Sequence, residues 1–350
     1  MRRNSSSYYL LPVAVCLLAC LSLQGAIAAA PLQSKASAKD DADGGARVIT
    51  AEQSLPAEAT VTILMCIESG DVLVRGWDRR EVRARSTDAS RIELRRADAT
   101  ADPNPATRVE VLVTREEGEP ARPGLCSSSG NLELDVPRGS TVQIKGNTGD
   151  ISITGVAHAR ARTLSGDIEL QGITKSTEAS SINGALIMRK SSGRVRLETI
   201  GGEIVAGDLS ADEAADGFFA KTVSGEITLT NVGHTHVEAY SSNSQIDFTG
   251  ALAGGGLYTF QSHSGSVRLS LPSNSSFQLN AKVHHSGEIV TDFPIRQVPM
   301  KASGMGHDAT VGGPLLSEGR LTGVTGKGGK TDATLILSSF SGTLHLQRQE

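Results

Sequence analysis

The chain lacks most of the features that mark enzymes and nucleic-acid binders. Aromatic residues make up only 3% of its 350 residues, which excludes a broad core built from large rings. Its formal net charge of −4 gives no support to nucleic-acid binding, which depends on an excess of Lys and Arg. No HExxH, GxSxG or P-loop sequence occurs. We therefore predict no catalytic residue, no metal and no cofactor.

Long apolar runs are also missing, except at the N-terminus. Two arginines precede an apolar stretch over residues 10–23, and Ala26-Ile27-Ala28 follows as a small-residue cleavage site. This arrangement predicts a signal peptide over residues 1–28 and an exported protein of the periplasm or cell surface. The alternative is a lipoprotein whose lipidated residue is Cys20, and only then do we expect a membrane anchor.

Cysteine is scarce, with four in the whole chain. Two of them lie in the leader, so Cys66 and Cys126 remain in the exported part. Export to an oxidising compartment predicts a disulfide between Cys66 and Cys126. Two buried free thiols are the alternative.

Glycine, in contrast, is abundant, at 38 of 350 residues. It recurs in corner phrases such as SGDIEL and SGEITL, at intervals of about 20 residues. The turn positions are Gly149, Gly166, Gly184, Gly193, Gly202, Gly225, Ser244, Gly265, Gly287 and Gly342. The residues two and four places after each turn are almost all apolar, which predicts a strand with one face turned inward.

The residue two places before the turn is also often apolar. The examples are Leu164, Ile182, Ile200, Val223 and Phe340. We predict that these side chains point into the same core, and that glycine supplies a positive φ at the corner.

Short strands with no helices between them cannot bury their own apolar faces, and stacking equivalent units would bury them. The fold prediction is an all-β protein: a parallel β-solenoid with rungs of about 20 residues, capped by an N-terminal antiparallel or mixed β region. A β-sandwich is the alternative. The predicted segments are a flexible linker at 29–58, the cap at 59–137 and the solenoid at 138–347, with a mobile Pro/Gly-rich excursion at 294–334.

Two charged groups are candidate ligand contacts. The first follows the turn glycines and comprises Asp150, Asp167, Glu203 and Glu226. These acids either form a column that holds a cation or a sugar, or face solvent and satisfy turn amides. The second lies near Trp77 and comprises Arg79, Arg80, Arg83 and Arg85. These arginines either contact an acidic glycan or phosphate, or form ion pairs with interleaved acids.

Histidines recur near the later corners. His263 and His285 both stand two places before a turn, and we predict that they stack on neighbouring rungs. His234 and His236 are predicted to share one face of a strand. We interpret these histidines as a stacked polar pair and not as a metal site, which needs three or four converging ligands.

The corner sequences SGD-I-x-L and NTGD-I-x-I, with the N-terminal GDVLVRGWDRREV and the closing TLILSSFSGTLHLQ, resemble the bacterial putative-adhesin family. The resemblance covers residues from about 59 to 347. It implies an exported β-helix-like domain of unknown function, with an envelope location and a surface-binding role.

We therefore expect a non-enzymatic binding or structural module of the cell envelope, with glycans or a protein as its partner. The alternatives are a β-helix polysaccharide lyase or hydrolase, and a periplasmic regulatory or assembly domain.

Overall fold

The computed structural model describes residues 51–88, 90–98, 104–114, 126, 128–297, 315–317, 319–326 and 332–349. This part of the chain consists of strands and turns, and no α-helix occurs in it. It therefore also contains no helix with the length and hydropathy needed to cross a membrane. The predicted leader lies outside the described residues.

The N-terminal strands are longer than those that follow. They are β1 (Ala51–Ser69), β2 (Val72–Trp77), β3 (Glu81–Ser86), β4 (Arg91–Arg96), β5 (Ala106–Thr114), β6 (Ser128–Ser129) and β7 (Leu132–Pro137).

The middle of the chain repeats one pattern, in which a strand, a tight corner and a second strand make one rung. Its strands are β8 (Thr141–Thr148), β9 (Ile151–Thr154), β10 (His158–Arg162), β11 (Ile168–Gln171), β12 (Ser176–Ser181), β13 (Leu186–Ser192), β14 (Arg194–Thr199), β15 (Ile204–Ser210), β16 (Gly217–Thr222), β17 (Ile227–Val232), β18 (His236–Ser241), β19 (Ile246–Thr249), β20 (Leu257–Ser262) and β21 (Val267–Pro272).

The C-terminal part adds two rungs and a short cap. Its strands are β22 (Phe277–Ser286), β23 (Ile289–Thr291), β24 (Arg296–Gln297), β25 (Leu315–Ser317), β26 (Arg320–Thr325), β27 (Ala333–Ser341) and β28 (Leu344–Gln349).

The rungs stack into two sheets that enclose a narrow core. The first sheet contains the even-numbered strands from β8 to β20, each parallel to the next, and the second contains the odd-numbered strands from β9 to β21. The apolar residues after each turn glycine are buried as predicted, for example Ile168 and Leu170. The body is therefore an all-β, solenoid-like stack of parallel rungs.

The ends of the stack are mixed in orientation. At the N-terminal end β3 pairs antiparallel with β7, and β4 pairs antiparallel with β5. At the other end β26 pairs antiparallel with β22, and β25 with β23. These antiparallel strands cover edges whose free amides and carbonyls would otherwise recruit other chains.

The first and the last rung in sequence order among the described residues do not lie at the ends of the stack. The rung β1–β2 lies between β7 and the rung β8–β9. Likewise the rung β27–β28 lies between β20–β21 and β22–β23. TLILSSFSGTLHLQRQ forms β27 and β28, the last two strands in the sequence. In space they form the second rung from the end of the stack, because β22–β23 lies outside them.

Two predicted segments differ from the structure. Strand β1 begins at Ala51, inside the linker predicted for 29–58, because residues 51–56 pair antiparallel with β3; residues 29–50 lie outside the described part. The segment 294–334, predicted as a mobile excursion, contains β24, β25 and β26, which cap the outermost rung; its remaining residues are described only in part.

Except for Gly193, the predicted turn positions form one column, in which each residue packs against the next. Gly193 lies at a different corner, between β13 and β14, where a Cβ atom would meet the carbonyl oxygen of Lys175. A Cβ atom on Gly166 would lie 2.1 Å from the carbonyl oxygen of Gly149, and one on Gly225 would lie 1.6 Å from that of Gly202. The φ of Gly166 is positive, at 139°, but Gly225 does not have a positive φ. Glycine is therefore needed mainly because neighbouring backbones touch, and the prediction of a positive φ holds at only some corners.

At several corners a buried hydroxyl stands three places before the turn and forms a hydrogen bond with the neighbouring rung. The Thr222 hydroxyl donates to the carbonyl oxygen of Gly202 at 3.1 Å and accepts from the Gly225 amide at 3.0 Å. Ser262 bonds in the same way to the carbonyl of Ser244 and the amide of Gly265. Thr199 repeats the pattern. These hydroxyls satisfy buried polar groups that the sheet ladders leave unpaired at the corner.

Replacing Thr222 by Val keeps the shape of the side chain and removes both hydrogen bonds. We expect Thr222→Val to lower the free energy of unfolding by about 1–3 kcal/mol, because a buried carbonyl and a buried amide lose their partner. Urea unfolding of the purified protein measures this change. The matched control is Thr230→Val at an exposed strand position, where we expect a change within about 0.5 kcal/mol. Equal effects at the two sites would contradict the role given to the buried hydroxyl.

Candidate functional site

The acids after the turn glycines divide into two groups. Those of the first group accept hydrogen bonds from backbone amides. The Asp150 carboxylate accepts a hydrogen bond from the Asp167 amide at 2.8 Å, and the Asp167 carboxylate accepts one from the Ala185 amide at 2.8 Å. Each acid therefore caps the corner of the next rung. The structure favours the turn-amide interpretation at these two residues.

The second group lies further along the stack. Burial raises the pKa of Glu226, and its hydrogen bond with Asp247 and the nearby charges of Asp247 and Glu203 raise it further. Carboxyl groups that lie close together disfavour each other's ionisation, although Arg268 lies 3.8 Å from the Asp247 carboxylate. The described residues include no set of three or more His, Cys, Asp or Glu side chains placed to hold a metal ion.

The predicted arginine surface is largely neutralised. Arg83 and Arg85 both reach Asp135 on β7, at 2.8 and 2.7 Å. Arg75 lies 2.6 Å from Glu133, on the same strand. The hydrogen bond to Asp135 raises the pKa of Arg83 above its ordinary value.

The acids that pair with these arginines are not those expected. Glu133 and Asp135 lie 50 to 58 residues away along the chain. The pairing of β7 with both β2 and β3 brings them close, and the sequence alone does not predict it. Arg79 and Arg80 remain exposed, and Arg79 lies over the Trp77 ring at 5.0 Å.

The disulfide belongs to the same end of the molecule. Cys66, on β1, is bonded to Cys126 across a sequence separation of 60 residues. Because β1 also pairs with β6 at Ile67, the bond ties the outermost N-terminal strands to the rung next to them.

The histidine predictions are corrected in two ways. His263 and His285 are not on neighbouring rungs, because β27 inserts between them and places the Phe340 ring between the two imidazoles. His234 and His236 do not share a face: His234 is fully buried and bonds to the carbonyl of Gly193, whereas His236 is exposed and pairs with Glu238. Burial lowers the pKa of His234.

The residues two places before the turn glycine form an exposed ridge, contrary to the prediction that they point inward. In spatial order this ridge is Leu164, Ile182, Ile200, Val223, Ser242, His263, Phe340 and His285. Leu164 and Ile200 are each 51% exposed, and Phe340 is 43% exposed. The backbone turns outward one residue after the buried hydroxyl. The inward position expected for the ridge residue is therefore occupied by the residue that carries this hydroxyl.

A groove of about 400 Å³ crosses the outer face of the first sheet, over strands β8 to β14. We call it the basic groove. Two rows of side chains in register form it: Thr141, His158, Ser176 and Arg194 in one row, and Gln143, Arg160, Glu178 and Arg196 in the other. Alternate residues of these strands face outward. The groove residues therefore recur with the same two-residue period as the core residues behind them.

One carboxylate lies among the cations of this groove. Glu178 lies 2.6 Å from Arg160 and also pairs with Arg162. Burial acts to raise the pKa of Glu178, but the hydrogen bond from Arg162 and the charges of both arginines outweigh it, and the pKa lies below its ordinary value. In the described part of the chain, the Arg194 side chain makes no hydrogen bond and no ion pair, which leaves its guanidinium available to a ligand.

Aromatic residues continue the face beyond the groove. The Arg196 guanidinium lies 4.3 Å from the centre of the Phe219 ring on the next rung. Phe219 in turn lies 5.7 Å from Tyr240, ring centre to ring centre. Cations and rings therefore follow one another along the stacking direction. Sequence reasoning missed this face, because its members are 17 to 23 residues apart and coincide only when the rungs stack.

The fold and this surface define a solenoid-like β-repeat domain with mixed strand orientation at its ends. Residues 124–305, more than half of the chain, match the model of the Toastrack DUF4097 family, and the chain belongs to that family. This confirms the resemblance to the putative-adhesin family, a β-repeat domain of unknown function, that the corner sequences indicate.

A solved structure of a putative cell adhesion protein from Clostridium sporogenes is also similar, at 9% identity and a TM-score of 0.21. The match covers 85% of this chain and 99% of that one. Among curated proteins, no significant match was found.

The ion pairs of Glu178 predict a pH dependence of stability. Because its folded-state pKa is depressed, the stabilisation is fully present above the unfolded-state pKa of about 4.3 and is lost as the pH falls through the lower folded-state value. We expect Glu178→Gln to reduce the free energy of unfolding by up to about 1 kcal/mol near neutral pH. The difference from the parent protein should shrink at about pH 3. Urea unfolding at both pH values tests this, with Glu169→Gln on the other sheet as the control; a difference that grows on acidification would contradict it.

Proposed function

We propose that this chain is an exported, non-catalytic binding module of the bacterial cell envelope, and that it holds an acidic polysaccharide along the outer face of the first sheet. The observation that carries the proposal is the basic groove, in which Arg160 on β10 and Arg194 and Arg196 on β14 face solvent, with Glu178 on the strand between them. The predicted leader supports export, and the Cys66–Cys126 disulfide agrees with an oxidising compartment.

The charge balance of this face favours an anionic ligand. From β8 to β18 the outward cations are Lys145, Arg160, Arg162, Arg194, Arg196 and Lys221, and the outward carboxylates are Glu178, Glu198 and Glu238. The whole chain is acidic, so this excess of positive charge is local. Guanidinium groups bind carboxylates and phosphates through paired hydrogen bonds, whereas a lysine acts as a point charge.

The periodicity favours a polymer over a small molecule. Strands in a sheet lie about 4.8 Å apart, and so the cations and rings are spaced along a line several rungs long. A flexible chain with one charge per sugar unit can contact several of them at once. Many weak contacts on one chain add up to useful affinity. The aromatic pair Phe219 and Tyr240 extends this line beyond the arginines and gives sugar rings an apolar surface.

The state of the carboxylate in the basic groove supports binding in preference to hydrolysis at this site. A glycoside hydrolase uses two carboxyl groups across the scissile bond, one of them protonated near neutral pH. In the basic groove Glu178 has a lowered pKa and two arginine partners, which is the reverse of what a general acid needs. The aspartates at the corners are hydrogen-bonded to backbone amides.

The test is binding of the mature exported protein to polygalacturonate, alginate and heparin, with neutral dextran as the reference polymer. We expect Arg194→Ala to weaken binding of the acidic polymers by about tenfold, because it removes an unpaired guanidinium from the groove. Isothermal titration calorimetry at low and high salt measures the loss. Affinity should fall as salt rises, since the contacts are largely electrostatic.

The matched control is Arg189→Ala. Arg189 is exposed on β13, on the opposite sheet of a neighbouring rung, and its removal changes the net charge by the same amount. We expect no effect on affinity beyond about twofold. Equal losses in the two variants would show that binding follows overall charge and not the groove. If no acidic polymer binds, the proposed ligand class is wrong.

A further inference from the structure

The exposed ridge at the glycine corner is interrupted at one place. Every other position from Leu164 to His285 carries a branched aliphatic or ring side chain, but the rung between Val223 and His263 carries Ser242. The small side chain leaves a notch in the ridge. Around it lies a cavity of about 370 Å³ lined by Tyr240, Ser242, Gln261, His263 and Phe340, among others.

One wall of the notch is a flat ring. His263 stacks on Phe340 with ring centres 4.7 Å apart and planes 10° from parallel, and Phe340 stacks on His285 at 5.6 Å and 16°. Since the three rings follow the stacking direction of the rungs, the free face of His263 is turned towards the Ser242 rung. The rings behind it hold the imidazole in place, so the platform exists before any ligand arrives.

The rim of the notch carries polar groups that the protein does not use. Within the described residues, the side chains of Lys221, Gln261 and His284 have no hydrogen-bond or ion-pair partner, although all three line the cavity. Ser338 also lines it. The cavity therefore combines a ring face, a basic group and several uncommitted donors and acceptors. Ligand pockets of about 300–1,000 Å³ have this composition, with an apolar wall and a few polar groups that fix orientation.

A pyranose ring matches that combination. One face of such a ring presents C–H groups, which pack on a flat π surface, while the hydroxyls around its edge need hydrogen-bonding partners. A carboxylate on the ring would additionally be attracted to the ammonium of Lys221. An apolar peptide side chain would fill the space but would form no hydrogen bond with the polar rim.

We propose that the notch at Ser242 is a specific subsite for one uronate unit, with its ring stacked on His263 and its carboxylate on Lys221. The inference rests on the proposed binding of an acidic polysaccharide and names the position at which that polymer is held in register. The notch lies on the same side as the basic groove: Tyr240, which lines it, follows Phe219 and Arg196. From β14 to β20 the separation is three rungs, or about 15 Å.

The test fills the notch without disturbing the fold. Ser242→Leu places at this corner the side chain that Leu164 already carries at the equivalent position four rungs away, so we expect the thermal midpoint to stay unchanged. Binding of a galacturonate pentamer should weaken by about tenfold. His263→Ala, which removes the platform, should weaken it by a similar factor. In the parent protein, saturation-transfer NMR should show magnetisation passing between the sugar and the His263 ring.

The matched control is Leu164→Ser, which changes the same corner position far from the notch and should leave the affinity unaltered. If Ser242→Leu binds the pentamer like the parent protein while Arg194→Ala does not, the notch proposal is overturned and the acidic-polymer function stands. If Ser242→Leu loses binding and Arg194→Ala retains it, the subsite stands and the basic groove is wrong. If the pentamer does not bind the parent protein at all, both proposals are overturned.

Discussion

The close contact between successive corners is the constraint on which the rest of the structure depends. At the corner, the backbone of one rung touches the turn residue of the next so closely that a Cβ would meet a carbonyl oxygen. The hydroxyl three places earlier then bonds to that same carbonyl and to its own turn amide. Together these contacts fix the register in which one rung stacks on the next. Inward side chains therefore stack on inward ones, and outward side chains form straight rows.

The rows of outward side chains follow from this register. They explain why a chain with few distinctive residues has a distinctive surface. The cations of the basic groove come from β10 and β14, alternate strands of the first sheet, and the ridge comes from the corner beside it. A solenoid with drifting register would scatter these groups. Because the core requires regular stacking, the outward side chains are also regularly spaced. Such spacing suits a polymer with its own repeat.

The ends of the stack were less predictable than its body. Every rung has nearly the same pattern of inward residues, so the local sequence does not specify which rung lies next to which. The first and last described rungs in sequence order show the consequence, since β1–β2 and β27–β28 both lie one rung inside the end of the stack. The cap strands β3, β4, β25 and β26 have no turn glycine of the repeat, and the antiparallel pairing that they make involves residues far apart in sequence. For the same reason the partners of Arg83 and Arg85, on β7, could not be identified in advance.

What the sequence by itself determined is local: the corner glycines, the apolar alternation after them and the solenoid-like class of fold. These follow from the two-residue period of a strand and from the small space at a tight turn. What only the tertiary structure decided is the spatial order of the rungs, the outward position of Leu164, Ile182 and Ile200, and the meeting of arginines, rings and Ser242 along one side. Those features depend on stacking between residues about 20 or more positions apart, and on the direction in which the corner turns after its buried hydroxyl. No local pattern encodes either.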